Sequence, residues 1–456
     1  MANHHQQPVE SFEVERLAWG IMLLAFAVLC VMCIASSLGV YYFFFESTSP
    51  LNTILRVGRG TAVVTNLDSE QAIRKSENLT GRSVKINTDS LSQATLSFYN
   101  PIFQSDEQRL IAEATLISDA TVVLRNAFAP RFQWSNGIYS IQMRDLFGEL
   151  KLFIPRNLDY PVRINIFTRD GARIDIEGAG KYRIFSDSKE TRVMVEGEGN
   201  AILFTPLLNI NRAIPDGQTG VWLKGRDEIA LIINQVNLIE NGLFSLPAIS
   251  ANPTSLNFVP ARWGCSSIQD RLPRGVFEPT VWDGRNALRI VRDENASSHG
   301  ETGCKQFIND EKSNISSYSW LNLQLTFNIK YQSLSECGIA GSECPVMILL
   351  QYEDIHGNIQ QMYQGFYADA ELSSGYPLRC GSCTRDHLKV NPDVWYTFET
   401  GNLLTNIPQE LKPKRIASIE LYASGHQYDV FISEVALKAG FTDVIPPDVF
   451  NVETSN

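Results

Sequence analysis

The hydrophobic pattern changes character once, and that change divides the chain. Leu17 to Phe45 is an uncharged, almost wholly apolar run of 29 residues. As a helix it reaches roughly 43 Å at about 1.5 Å per residue, against a hydrocarbon core of about 30 Å. The run predicts one membrane-spanning helix with slack for tilt. Trp19 near one end and Tyr41 and Tyr42 near the other suit the headgroup zones. Beyond it, apolar and polar residues alternate in short runs broken by Gly, Asn and Asp. A period of two marks half-buried strands.

The strands come in two series. Ser83 to Asn87 alternates, and so does Gln93 to Phe98, with Ala94, Leu96 and Phe98 on one face. Leu150 to Ile154 follows. Val162 to Ile166 runs through Arg169-Asp170-Gly171 into Ala172 to Ile176. Asp-Gly between alternating runs predicts a hairpin, because both residues tolerate positive φ. Tyr182–Phe185, Thr191–Val195 and Ala201–Phe204 complete the series. Residues 205–236, rich in turn residues, should finish this unit before Asn237. The second series contains one long strand. Leu321, Leu323, Leu325, Phe327, Ile329 and Tyr331 fall on its core face. Trp320, Asn322, Gln324, Thr326, Asn328 and Lys330 fall on the other. A hairpin, Val346–Tyr352 with Ile359–Tyr367, comes next. The expected fold is all-β behind a single N-terminal transmembrane helix.

Composition narrows the class. A net charge of -11 argues against nucleic acid as a partner. Residues 1–16 form a short acidic tail in which His4 and His5 are most simply solvated. The apolar run is too long for an ordinary signal peptide, and Arg16 is the only basic residue before it, so a retained anchor is expected. Arg16 before the span and Arg56 and Arg59 after it do not set an orientation. The cysteines do. Cys30 and Cys33 lie in the span, but Cys265, Cys304, Cys337, Cys344, Cys380 and Cys383 all lie in the second series. An even set in a β domain indicates disulfides and an extracytoplasmic location, at the cell surface or in the periplasm. Cys337/Cys344 and Cys380/Cys383 are the local pairs, leaving Cys265/Cys304. Cys380-x2-Cys383-x3-His387 also has zinc-like spacing. A redox dithiol would need a helix N-terminus that the loop around Cys380 does not offer.

No catalytic motif is present: no nucleophile elbow, no H-E-x-x-H, no phosphate loop. Glu353-Asp354 is a carboxylate pair, but adjacent turn residues splay apart. No enzyme is expected. Asn78, Asn295 and Asn314 begin glycosylation triplets.

Two resemblances add to this. Gly81-Arg82-Ser83-Val84-Lys85-Ile86-Asn87, Ala94 to Phe98, Gly148 to Leu152, Ile176-Glu177-Gly178-Ala179-Gly180-Lys181-Tyr182 and Thr191 to Gly197 follow in the order of a FecR domain. Residues 57–204 therefore resemble that family, with Ala179-Gly180 where it favours Gly-Thr. Its founding members signal through a cytoplasmic tail, and here the tail has only 16 residues. Asn241-Gly242-Leu243-Phe244, Trp263, Gly284 to Ile290, the Tyr352 to Gly357 turn, Trp395 to Phe398 and Tyr428 to Leu437 resemble a galactose-binding jelly roll, the fold of many carbohydrate-binding modules. That places a second domain at 237–440 and a loose tail at 441–456. The resemblance implies paired domain ends and a structural calcium, for which Glu240, Asn241 and Glu434 could supply oxygens. It also implies a glycan or cell-envelope ligand. Sugar sites pair flat rings with amides. Tyr363, Tyr367 and Gln361 share one face, with Gly365 leaving room between the rings. Gln324 and Asn322 are expected as hydroxyl partners, and Trp263 and Trp282 as rim. The alternative is a structural or sensory envelope protein whose β domains bind other proteins.

Overall fold

The computed structural model describes residues 10–441 apart from 67–68, 80–82, 102–107, 136, 198, 207–209, 234, 246–259, 293–294, 334–336, 339–341 and 369–386. Gly81 and Arg82 of the FecR-like motif, Cys380 and Cys383, His4 and His5, and the tail beyond Phe441 lie outside the described residues. The helix Glu10–Tyr41 continues through a π-helical turn, Tyr42–Glu46. From Leu17 on, its apolar side chains are largely exposed, and it is long and apolar enough to cross a membrane. Only Ser47 separates it from the strand Thr48–Pro50.

The first β unit runs from that strand to Ala230–Ile233. Its strands close around one apolar core that includes Leu55, Ile86, Leu96, Phe98, Ile164 and Ile174. Closure depends on one strand of 16 residues, Tyr139–Ile154. Its first half lies between Thr121–Pro130 and Val162–Thr168. Its second half lies between Gln108–Leu116 and Gly180–Ser186. The register shifts between Met143 and Phe147, where Asp145 has φ 55° and Gly148 φ 87°. A Cβ on Gly148 would sit 2.8 Å from the Ala120 Cα. The bulge bends the strand from one sheet into the other. The Asp-Gly hairpin forms, but only Gly171, at φ 85°, takes positive φ; Asp170 does not. Val162–Thr168 pairs with Arg173–Glu177, and the Gly171 N–H donates to the Thr168 carbonyl at 3.0 Å.

The second unit is a jelly-roll sandwich of two six-stranded sheets. One runs Val276–Trp282, Arg285–Arg292, Tyr428–Gly440, Trp320–Gln332, Tyr396–Glu399. Val236–Asn237 adds to it beside Tyr428–Gly440, so the entering and leaving strands are neighbours. The other runs Gly264–Gln269, Gly300–Phe307, Pro413–Gly425, Val346–Asp354, Ile359–Ala368, Leu388–Val390. Leu321 to Ile329 alternate into the core as expected. Tyr331 does not: the register shifts after Ile329, and the ring turns out to solvent at 48% exposure. Disulfides join Cys265 to Cys304 on neighbouring strands and Cys337 to Cys344 across a loop.

The two units meet sheet against sheet. Gln93 of the first unit and Thr397 of the second exchange hydrogen bonds, 3.0 Å from Gln93 Nε2 to the carbonyl and 2.9 Å from the Thr397 N–H to Gln93 Oε1. Asn391 donates from its backbone to the Gly58 carbonyl at 2.8 Å and from its side chain to those of Val57 and Arg74, each at 2.7 Å. The sandwich therefore has one outer face covered and one open.

Candidate functional site

Alternation on a strand puts every second residue outside the core. On the covered face several of those outer residues are charged, and these meet opposite charges at the interface. Arg183 bridges Glu149 at 2.6 Å and Glu399 at 3.0 Å. Lys151 also bonds Glu399, and Lys438 bonds Glu196. Lys181 meets Glu434 at 2.7 Å and Arg285 meets Glu113 at 2.5 Å. The Arg285 guanidinium also lies 3.8 Å above the Phe153 ring. Five cations thus meet four carboxylates across the interface, and Glu149 holds Arg183 from within the first unit. Burial alone would push the acids up, but Arg183 and Lys151 outweigh it and hold Glu399 far below the usual carboxylate range. Lys181 and Lys438 likewise bring Glu434 down to about 2.

This face holds two of the predicted ligand residues. Asn322 is 1% exposed and accepts from the Thr400 hydroxyl at 3.2 Å. Gln324 is 5% exposed and donates to Glu399. Both amides are on the non-core side of their strand, as expected, but the first unit covers that side, and Thr400 and Glu399 of the jelly roll itself already use their polar groups. Trp282 belongs to the same sheet, stacked on Phe431 at 4.9 Å with the Lys330 ammonium 3.9 Å above its ring. None of the three stands beside Tyr363.

The open face is the outside of the other sheet. Its register sets out two neighbouring rows. Lys305 is opposite Glu420, Glu420 opposite Leu349, and Leu349 opposite Tyr363. In the next row Phe307, Ser418, Gln351 and Gln361 succeed one another in the same way. Tyr363 Oη donates to Gln361 Oε1 at 2.7 Å. Gln351 Oε1 accepts from Lys305 Nζ at 3.1 Å and from the Ser418 hydroxyl at 2.8 Å. Lys305 Nζ is 3.6 Å from Glu420. Tyr363 and Tyr422 both pack around Met347, and burial pushes both phenols up, so they stay protonated donors. Phe307 is 76% exposed, under the Lys305 ammonium at 5.3 Å. Beside it opens a cleft of about 600 Å³ lined by Trp263, Arg262 and Glu240.

Of the predicted residues, Tyr363 and Gln361 share this face and Trp263 lines its adjoining cleft. Trp263 is nearly buried, donating from Nε1 to the Asn241 carbonyl at 3.3 Å and packing against Phe244. Tyr367 is on the correct side of its strand but is 3% exposed, packed with Met347, Cys337 and Cys344. Gly365 leaves room for a protein group, not for a sugar. A Cβ there would lie 2.3 Å from His387 Nδ1 and 2.7 Å from Met347 Sδ. His387 in turn bonds the Gly338 carbonyl through Nε2 at 3.0 Å. It packs with Cys337 and Cys344 as a group of ligand-type atoms, but those two sulfurs are bonded to each other. Sequence reasoning missed Lys305, Gln351, Glu420, Tyr422 and Phe307. Gln351 was an outward position on the predicted strand Val346–Tyr352, whereas the strand Gly300–Phe307, which carries Lys305 and Phe307, was not predicted.

The oxygens suggested for calcium are dispersed. Glu240 meets Lys312 at 3.1 Å and Arg262 at 3.2 Å. Asn241 donates to the Ala261 carbonyl at 3.0 Å. Glu434 faces the first unit. Each carboxylate has a cationic side chain where a metal would sit. Asp354 caps its turn, accepting from the His356 and Asn358 N–H groups at 2.8 and 2.9 Å. Desolvation opposes ionisation, but these bonds and one from Gln360 outweigh it and bring the carboxyl down to about 2. That separates its role from Glu353.

No known protein family matches the chain, and no curated protein does. Among solved structures, it is similar to a family 11 carbohydrate-binding module from Clostridium thermocellum in complex with a beta-1,3-1,4-mixed-linked tetrasaccharide. That match has 12% identity and a TM-score of 0.22, covering 40% of this chain and 91% of the module. It is also similar to a family 22 carbohydrate-binding module from Clostridium thermocellum, with 12% identity, a TM-score of 0.22, and 45% and 99% covered. A putative anti-sigma factor from Parabacteroides distasonis matches with 13% identity and a TM-score of 0.21, over 33% of this chain and 59% of that one. Likenesses of this size carry no functional weight, which rests on the open sheet face.

Proposed function

We propose that this protein is a membrane-anchored, extracytoplasmic binding protein that takes a glycan or cell-envelope polymer on the open face of its jelly roll, without catalysis. One observation carries the reading. The two outer faces have opposite fates, and the face left open carries Tyr363, Phe307, Gln361, Gln351, Lys305 and Glu420 in adjacent rows. Flat rings suit the apolar faces of sugars, and amides and charged groups suit hydroxyls. Glu420 is paired with Lys305 and has no second carboxylate in its row, which favours binding over acid–base chemistry. The two disulfides support an oxidising compartment, and the exposed apolar helix supports the anchor. The FecR-like reading of residues 57–204 belongs to the same proposal, as an extracytoplasmic module that holds the jelly roll near the membrane. A glycan array probed with the full chain in detergent tests it. Binding should be present in the wild type and absent in Gln361→Ala and Tyr363→Ala. A wild type that binds no glycan ends the reading.

A further inference from the structure

The exit of the helix carries an aromatic cluster that belongs to neither β core. Phe43 and Phe44, in the π-helical turn, lie 5.5 and 5.4 Å from the ring of Phe132. Trp134 stacks on Phe132 at 5.1 Å with 9° between planes. Phe132 and Trp134 come from the loop after the strand Thr121–Pro130, which is distant in sequence from the helix. The loop is nonetheless tied to the helix end. The Ser135 hydroxyl donates to the Phe44 carbonyl at 3.2 Å. Arg131 donates to the Thr48 carbonyl at 3.3 Å and lies 5.4 Å over the Phe43 ring. Thr48 pairs with Pro130, and Tyr160 Oη donates to the Phe132 carbonyl at 3.0 Å. Trp134 is held in place but not covered: it is 58% exposed, and Phe43 is 45% exposed.

Depth follows from length. About 20 helical residues cross a bilayer core, and the uncharged run holds 29. The surplus brings its last aromatic residues to the headgroup level, and the ties bring Phe132 and Trp134 with them. An indole stacked on a phenyl ring, open to one side and flanked by a guanidinium, matches the headgroup layer in both its apolar and its charged parts.

We propose that residues 131–135 and the Phe43–Phe44 turn form a foot seated in the headgroup layer of the membrane that the helix crosses. Trp134 and Phe132 enter the interface, and Arg131 faces lipid phosphates. This rests on the anchor proposed above. With one residue between helix and strand, the foot would hold the first unit at a fixed stance on the bilayer.

Tryptophan quenching in the full chain tests it. The protein, with Trp19→Phe to silence the span's own indole, is reconstituted in phosphatidylcholine–phosphatidylglycerol vesicles containing headgroup spin-labelled lipid. Part of the emission should be quenched, and adding Trp134→Phe should remove more than half of the quenched part. Quenching that Trp134→Phe leaves unchanged overturns the foot and points to a protein contact or free solvent for this loop. The same vesicles are washed in alkaline carbonate. Release of the protein overturns the anchor and the foot together, whereas retention with unchanged quenching removes the foot alone.

Discussion

The jelly roll has two outer faces made by the same rule and used in opposite ways. On both, alternate residues point away from one core. On the covered face the outer positions are Glu399, Glu434, Lys438, Arg285 and Gln324, and each bonds across the interface or to a residue that does. On the open face the bonds are local: Lys305, Gln351 and Ser418 satisfy one another within one sheet. Buried charges need partners of opposite sign in good geometry, whereas surface pairs contribute little. The same residue types therefore serve as cement on one side and as an available surface on the other.

Paired substitutions break this comparison most sharply. Glu399→Ala leaves Arg183 and Lys151 buried with one acceptor fewer. It should cost about 3–5 kcal/mol. Glu420→Ala on the open face should cost about 0–1 kcal/mol. Thermal melts of the two variants measure the gap. Equal losses would mean that the interface is solvated and the two faces are alike.

Acid should separate the faces as well. Glu434 ionises at about 2 in the folded protein, below its ordinary value of 4.5. A depressed folded value contributes stability that is full above the unfolded pKa and lost as pH falls through the folded one. For Glu434 this stability is lost as pH falls from about 5 towards about 2, and Glu399 shifts in the same direction. Denaturant midpoints measured down this range should fall. In Glu434→Gln the fall should be smaller, because the group that titrates is gone.

Gly365 offers a smaller effect that sharpens the boundary of the open face. A Cβ at 2.3 Å from His387 Nδ1 forces the ring or Met347 to move. Overpacking of this kind costs about 1–3 kcal/mol. Gly365→Ala should therefore lower the melting temperature without altering glycan binding. Lost binding at unchanged stability would restore the space above Gly365 to the ligand.

Much of this was legible along the chain. Alternation placed Leu321 to Ile329 inward and Asn322 and Gln324 outward, and the Asp-Gly hairpin formed where predicted, with Gly171 alone of the pair at positive φ. What failed was long-range. Nothing local distinguishes an outward face in water from one under a second sheet, because Glu113 and Arg285 meet from 172 positions apart. A faint signal existed. The outward row Asn322, Gln324, Thr326, Asn328 is polar but uncharged, unlike a strand face meant for bulk water. Local irregularity was also invisible, as with the register shift that turns Tyr331 outward. Tyr367 has the same alternation as Tyr363 but is buried among Met347, Cys337 and Cys344.

That pair gives the last test. Tyr363 and Tyr367 are four residues apart on one strand and face, so strand geometry treats them alike. Tyr367 is buried against Met347 and the disulfide loop, and truncating a buried aromatic costs about 3–5 kcal/mol. Tyr363 has its hydroxyl on Gln361 and is only half-buried. Tyr363→Ala should cost roughly 1 kcal/mol or less, since surface changes usually stay within about 0.5 kcal/mol and only its contact with Met347 adds to that. Its effect should instead be on binding. Tyr363→Phe removes the hydrogen bond to Gln361 but keeps the ring, so it separates stacking from polar contact. If stacking dominates, Tyr363→Phe keeps most of the glycan affinity that Tyr363→Ala loses. If both variants bind as wild type does, the ligand lies elsewhere on the face, with the Phe307 end and its cleft the next place to substitute.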